Sequence, residues 1–372
     1  AKVVAFLTDE AQRYVGREAL AWACDEECVT QLSFKAEHLS DTSPFDAYLI
    51  APATYHFINS FRHGIAASPS LSVMASALGR MERSGTPILI APTMHGSMHN
   101  SILQESLENL QMRGVQLIAP KDAWGKHNLP DPWVLASELA RACSRSPLRG
   151  KRCLITAGSI PSWVDDVRVM SNLFRGTLGL QIAQELYWRG AEVECVLGPT
   201  SEPPPSFLSV HRVESVETYL ETCMTRAQAW RPDFQILSAA VADYEVTEKT
   251  AGKIPSQGLE SLNLRPTIKV VDRLLETCPF SKIISFKFQL QMSHSELIQL
   301  ARERLRRGHF AVVANRGEEQ TARGEQVAHL VSSPDPTAET LRMETKPGIA
   351  RALADHLEKS ISEGLAKPPS LR

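Results

Sequence analysis

Short apolar runs alternate with amphipathic stretches along most of the chain, the pattern of a parallel sheet with helices on its faces. In the first half, Val3 to Leu7, Ala47 to Ala51, Ile88 to Ala91 and Gln116 to Ala119 predict strands. Between them, Glu10 to Trp22, Thr54 to Ile65, Leu71 to Ser84 and Ser101 to Arg113 carry helical periodicity. The second half opens on Cys153 to Ala157, apolar throughout, as a strand covered on both faces must be. Helices are then predicted over 176–189 and 215–230. Further strands are predicted over 192–197, 208–213, Phe234 to Ala240, Ile283 to Phe286 and Phe310 to Ala314.

The run from Cys153 ends at Gly158, and a helix starts at Gly176-Thr177-Leu178-Gly179, with Leu178, Ile182 and Leu186 on one face and Gly190 closing it. Strand, glycine turn and helix start form a common cradle for phosphate, because the first helical N–H groups are unpaired and the helix dipole favours an anion. The same geometry also occurs in α/β proteins without a phosphate ligand. Between the two glycines the chain has no steady period. It carries Trp163, Val164, Val167 and Met170 interleaved with Asp165, Asp166, Arg168 and Asn172, too apolar for a solvated tether. A connection this long inside a compact domain points to an ordered, functional loop.

Other strand ends add polar groups: Asp243 follows Phe234 to Ala240, Lys287 follows Phe286, and Asn315 follows Ala314. With Arg168, Asn172, Arg175 and Lys253 they compose a cleft richer in positive than negative charge, which suits a polyphosphate. Each residue alone has an ordinary structural explanation, since loop asparagines cap turns and loop lysines face solvent. In the first half, the strand ends Ala51 to Thr54 and Ala91 to Met94 line a second cleft.

Composition narrows the classes. The 372 residues are enough for two domains, and the basic, proline-containing ACSRSPLR at 142–149 reads as the boundary, giving domains 1–146 and 147–372. A net charge of −2 excludes a nucleic-acid field and leaves small-molecule partners. No apolar run approaches a bilayer span, so no membrane association is expected. Seven scattered cysteines point to reduced thiols and a cytoplasmic location. Cys24 and Cys28 lack a second Cys or His pair at zinc spacing, and no metal ligand is assigned from the sequence. An NAD(P)-dependent oxidoreductase would require a compact G-x-G-x-x-G after its strand, which is absent.

Several stretches occur together and in order: ITAG at 155–158, Asp166-x-Arg168-x-x-Ser171-Asn172, Gly176-x-x-Gly179, RGAEV at 189–193, GP at 198–199, AAVADY at 239–244, Lys253-Ile254, Ser285-Phe286 and VVAN at 312–315. The second half thereby resembles the phosphopantothenate–cysteine ligase family. The whole chain resembles the bifunctional form of coenzyme A biosynthesis, in which a flavin-dependent phosphopantothenoylcysteine decarboxylase precedes the ligase. The resemblance implies an α/β protein of two three-layer Rossmann-like domains, flavoprotein-like in the N-terminal half and nucleotide-binding in the C-terminal half. It also implies Mg²⁺, CTP or ATP as co-substrate, and assembly as a homo-oligomer. By the same resemblance, Asn172 binds an acyl-nucleotide intermediate, Arg168 orders its loop, Lys253 meets the triphosphate, Asp243 the ribose or base, and Phe286 packs on the base. Asn315 closes the cleft, and Gly158, Gly176 and Ala240 complete the nucleotide-binding set.

The chain departs from the family pattern in places. Phe174-Arg175 stands where two serines are usual before the glycine, and Gln289 replaces an acidic residue expected after Phe286. In the first half, His38 precedes APAT at the spacing of the decarboxylase's active-site base. However, His95 replaces an asparagine, His56-Phe57 replace Asn-Thr, and the flap KDAWGKHNLPDP has no cysteine. The glycine-serine loop for the flavin phosphate belongs before residue 1. These departures argue against FMN binding and for an impaired decarboxylase half. They also keep open a second reading, a non-catalytic assembly or regulatory subunit of the same family.

Overall fold

The computed structural model describes residues 1–39, 44–123, 126–255 and 261–364. Contacts divide the chain into Ala1–Cys143 and Ser144–Arg372.

In the first unit, Tyr48–Ala53, Ile88–Pro92 and Gln116–Leu117 form a parallel sheet in that order. Helices Tyr55–Arg62, Pro69–Ser84 and Ser101–Met112 begin where a side chain takes an otherwise unpaired backbone N–H. Thr54 accepts from Phe57, Ser68 from Leu71 and Asn100 from Leu103. Their buried faces, including Ile58, Phe61, Leu71, Met74, Leu103 and Leu110, close on Ile88 and Ile90. Two expected elements differ. Val3 to Leu7 makes only a single bridge, Phe6 to Val29, because an apolar run without a paired neighbour does not form a ladder. The helix expected over Glu10 to Trp22 is broken at Gly16 into a short turn, Ala11–Arg13, and Arg17–Cys24, which buries no side chain.

The second unit is built on eight strands in the order Ser209–Arg212, Glu192–Leu197, Arg152–Ala157, Phe234–Leu237, Lys282–Gln289, Ala311–Arg316, Val327–Val331 and Leu341–Glu344. The first six run parallel, and the last two join antiparallel at one edge. Thr177–Trp188 and Lys346–Ser362 supply Ile182, Leu186, Leu353 and Leu357 to the core on one face, which also holds Ile155, Ile236 and Ile284. Val216–Trp230 and Val270–Thr277 cover the other face around Leu154, Val196 and Ile283. His294–Arg306 packs with Val312, Ala314 and Val331. The result is helix, sheet and helix layers, with every parallel strand pointing its carboxyl end the same way.

The strand expected to run to Ala240 leaves the main ladder after Leu237. There the Ser238 hydroxyl bonds the Thr156 carbonyl and the Ala239 N–H bonds the Thr156 hydroxyl. Ala240–Val241 then pairs with Ser159–Ile160, carrying the sheet's direction past Gly158 into the cleft.

Candidate functional site at the strand ends of the second unit

Three glycines set the floor of this site. Gly158 has φ +86, and a Cβ there would lie 2.7 Å from the Pro199 carbonyl oxygen. Gly176, at φ +74, would place a Cβ 2.8 Å from the Gly158 Cα. A Cβ on Gly179 would meet the Ala157 Cβ and Ser238 Oγ at 2.4 Å. Backbone lies on backbone here, so the helix start at Thr177 sits directly on the strand ends. The glycines the sequence nominates for phosphate binding thus also have a packing requirement.

The loop between them is folded about one carboxylate. Ser162–Trp163 pairs antiparallel with Val169–Met170, and Asp165 lies fully buried at the turn. Asp165 Oδ1 accepts the N–H of Val167 at 2.8 Å and of Arg168 at 2.7 Å. Its Oδ2 accepts the Ile254 N–H at 3.0 Å and the Arg168 guanidinium at 2.6 Å. Arg168 also donates to the Ile254 carbonyl at 3.0 Å. Asp166 repeats the tie one residue on: it accepts the Gly252 N–H at 2.6 Å and pairs with Lys249 at 2.8 Å. Burial pushes the Asp165 carboxyl up, but the N–H groups of Ile254, Val167 and Arg168, with the Arg168 charge, outweigh it and hold the pKa at about 2. The clamp therefore contributes stability above the ordinary carboxylate pKa of about 3.9 and loses it only as pH falls through about 2.

This clamp fastens the Asn172 loop to the loop bearing Lys253. Gly252 and Ile254, the neighbours of Lys253 on either side, are both pinned, and the lysine itself is exposed. Asn172 is half-buried and donates one Nδ2 hydrogen to the Val241 carbonyl at 3.0 Å, which leaves its second Nδ2 hydrogen and its side-chain oxygen without a partner among the described residues. Ala240 donates to the Gly158 carbonyl at 2.9 Å. Asp243 is exposed and paired with Lys269. Burial first, then Arg304, pushes the Lys287 ammonium below its ordinary pKa, while Asp243 pulls it back. Lys253, Arg175 and Lys287 form no ion pair with a described residue, so positive charge remains in excess in this cleft.

Phe286 is half-buried and packs against the core cluster of Ile284 and Val313. The more exposed Phe288 forms an edge-on contact with Phe174, ring centres 5.2 Å apart. Asn315 is buried in the ladder opposite Phe288. Asp165, the organiser of the loop, and Phe288, its apolar wall, were not singled out as site residues. The signal for the first was an Asp three residues before Arg168 inside an apolar loop.

The strand end carrying Phe286 is braced from behind. Ser285 Oγ shares a hydrogen bond with His309 Nδ1 at 2.8 Å, and Arg304 donates to the Phe286 carbonyl at 2.9 Å. Burial, with repulsion from Arg304 and Arg307, pushes the His309 pKa from 6.5 down to about 4. The unfolded chain takes up this proton first, so the contribution is complete above about 6.5 and is lost as pH falls through about 4. Acid titration of thermal stability should show this limb, worth about 3 kcal/mol. His309→Asn should flatten it. An unchanged slope in the variant would remove His309 as its source.

In the first unit, His38 is half-buried, and its Nδ1 has no hydrogen-bond partner among the described residues. Part of its motif, residues 40–43, lies outside them. His95 accepts from the Ser97 N–H in a short turn. The flap backbone forms a hairpin, Lys121–Ala123 with Lys126–Asn128, joined to Met94–His95, while Trp124 and Gly125 lie outside the described residues.

Fold and cleft together define a Rossmann-like α/β protein with a flavoprotein-like first unit. Residues 148–361 match the DNA/pantothenate metabolism flavoprotein C-terminal domain family, and residues 1–132 match the flavoprotein family. The coenzyme A biosynthesis bifunctional protein CoaBC of Thermococcus kodakarensis is 32% identical over 368 residues, covering 97% of this chain and 89% of the relative. That of Methanocaldococcus jannaschii is 30% identical, covering 85% and 76%. The chain belongs to the coenzyme A biosynthesis bifunctional CoaBC family. The crystal structure of the DNA/pantothenate metabolism flavoprotein from Streptococcus pneumoniae shares the fold, with a TM-score of 0.50 at 23% identity over 56% of this chain and 99% of that one. No helix among the described residues is long and apolar enough to cross a membrane.

Proposed function

We propose that residues 144–372 ligate 4′-phosphopantothenate to cysteine with CTP or ATP, and that the decarboxylase activity of the first unit is impaired. The observation that carries this reading is the double clamp of Asp165 and Asp166, which fixes the Asn172 and Lys253 loops to one another. A carboxylate is a poor electrophile. Its oxygen attacks the α-phosphorus of the triphosphate and pyrophosphate leaves. The cysteine amine then attacks the acyl carbon, loses a proton and expels the nucleoside monophosphate. In this reading Lys253, exposed and without an ion pair among the described residues, neutralises the departing phosphates, and Asn172, held by Val241, presents its second Nδ2 hydrogen to the mixed anhydride. Mg²⁺, bound together with the triphosphate, would supply charge neutralisation at the phosphates. Asp243, exposed and paired with Lys269, meets the ribose or base of the nucleotide in this reading.

The described residues of the first unit do not fit a flavin phosphate. Gly64, Gly85 and Gly114 follow helices with positive φ, and Gly96, after the two-residue strand Met94–His95, opens a short turn capped by His95, so among the described residues no glycine turn ends a strand of the parallel sheet. No step is routed through FMN.

Phe174, packed on Phe288 where the family carries serine, favours a second reading as a non-catalytic subunit. Titrating the protein with CTP and with ATP in the presence of Mg²⁺ separates the two. Saturable binding of at least one is expected, weakened about 10- to 100-fold in Lys253→Ala, the worth of one hydrogen bond to a charged group. Failure to bind either nucleotide contradicts the ligase.

A further inference from the structure

At the antiparallel edge of the second unit, three elements bring imidazole and carboxylate ligands together. His294 opens the helix His294–Arg306, Glu319 lies on the loop after Arg316, and His329 sits in the strand Val327–Val331. One ligand atom from each lies within 4.8 Å of the others. His329 is buried, and its Nε2 hydrogen-bonds Glu319 Oε1 at 3.0 Å. The His294 ring stands edge-on to it, centroids 4.4 Å apart.

We propose that His294, Glu319 and His329 bind a borderline transition-metal dication of the Zn²⁺ class. Two imidazoles and one carboxylate make a ligand set suited to tetrahedral zinc, with a fourth position left for water. Bonds of about 2.0–2.1 Å place tetrahedral ligands about 3.3 Å apart. The His329 and Glu319 atoms already meet that spacing within a few tenths of an ångström. His294, within 4.8 Å of both, supplies the remaining ligand from an exposed side chain that a rotation about its own bonds can bring closer. Its register opposite Ala314 and Arg342 fixes His329 in the sheet, so one ligand is rigidly placed.

Opposing charges are present and accounted for. Arg316 lies 3.4 Å from Glu319 Oε2 and therefore engages the other carboxylate oxygen. Arg342 lies 3.8 Å from Oε1, and it is also paired with Glu344. The N-terminal helix dipole further disfavours a cation. These terms weaken binding without blocking any ligand atom. The ligand softness excludes Mg²⁺, which requires oxygen donors, so this site is separate from the metal that accompanies a nucleoside triphosphate. An ion here would tie the helix start, the loop following Arg316 and the penultimate strand Val327–Val331 into one unit.

Equilibrium dialysis of tag-free, chelator-treated full chain against Zn²⁺, with excess Mg²⁺ present, tests the proposal. One equivalent per chain is expected. Binding should weaken at least about tenfold in His294→Ala and in Glu319→Gln, since even outer-sphere partners of a metal cost that much. Co²⁺ should give a tetrahedral d–d spectrum without a thiolate charge-transfer band, which separates the site from the exposed Cys143. His294 is exposed, so its alanine variant should keep the metal-free melting temperature and lose only the increase produced by Zn²⁺. Absence of zinc binding, undiminished binding in both variants, or a thiolate band would overturn the proposal.

Discussion

Asp165→Ala is expected to lower ligation turnover by at least about 100-fold while the rest of the second unit stays folded. The carboxylate holds three backbone N–H groups and one guanidinium, and one of those N–H groups belongs to a residue 89 positions away. Removing it leaves buried donors unpaired, and the Lys253 loop loses its inner anchor. Displacing a catalytic group by about 1 Å can cost about 100-fold in rate. Asn should not rescue, because its NH₂ would face an N–H donor whichever way the amide is turned. Turnover at saturating substrates, together with faster proteolysis within residues 247–255, is the readout. Wild-type turnover in Asp165→Ala would show that the clamp does not position the reaction.

Sequence pattern carried the fold further than it carried the site. Cys153 to Ala157 and the helix from Thr177 were legible because burial on both faces demands an unbroken apolar run, and a helix on a strand end demands glycine. Val3 to Leu7 misled because an apolar run states that a segment is buried without naming its partner. The loop after Gly158 lacked a period for a physical reason: its order comes from a buried carboxylate, not from a repeating face. That Asp165 would meet Ile254 is a tertiary fact with no local signature. The aromatic wall is similar, since Phe174 and Phe288 lie on segments whose contact depends on the crossing of Gly158 and Gly176.

The second large effect is expected at Asn172. Its side chain is half-buried, and one Nδ2 hydrogen is bonded to Val241, so the second N–H is held in one orientation before any ligand arrives. A prearranged dipole of this kind stabilises developing charge without reorganisation, and losing one such group costs about 100- to 1000-fold in turnover. Asn172→Ala leaves no cavity in the core and should melt close to wild type. Its defect should therefore appear in amide formation and not in folding.

Pyrophosphate release from the purified protein, with Mg²⁺, 4′-phosphopantothenate and either CTP or ATP, addresses the ligase directly, run with and without cysteine beside Asn172→Ala. Release should require phosphopantothenate, amide product should form only when cysteine is added, and the variant should lose about 100-fold or more. No release with either nucleotide, or equal amide formation by Asn172→Ala, would contradict the ligase.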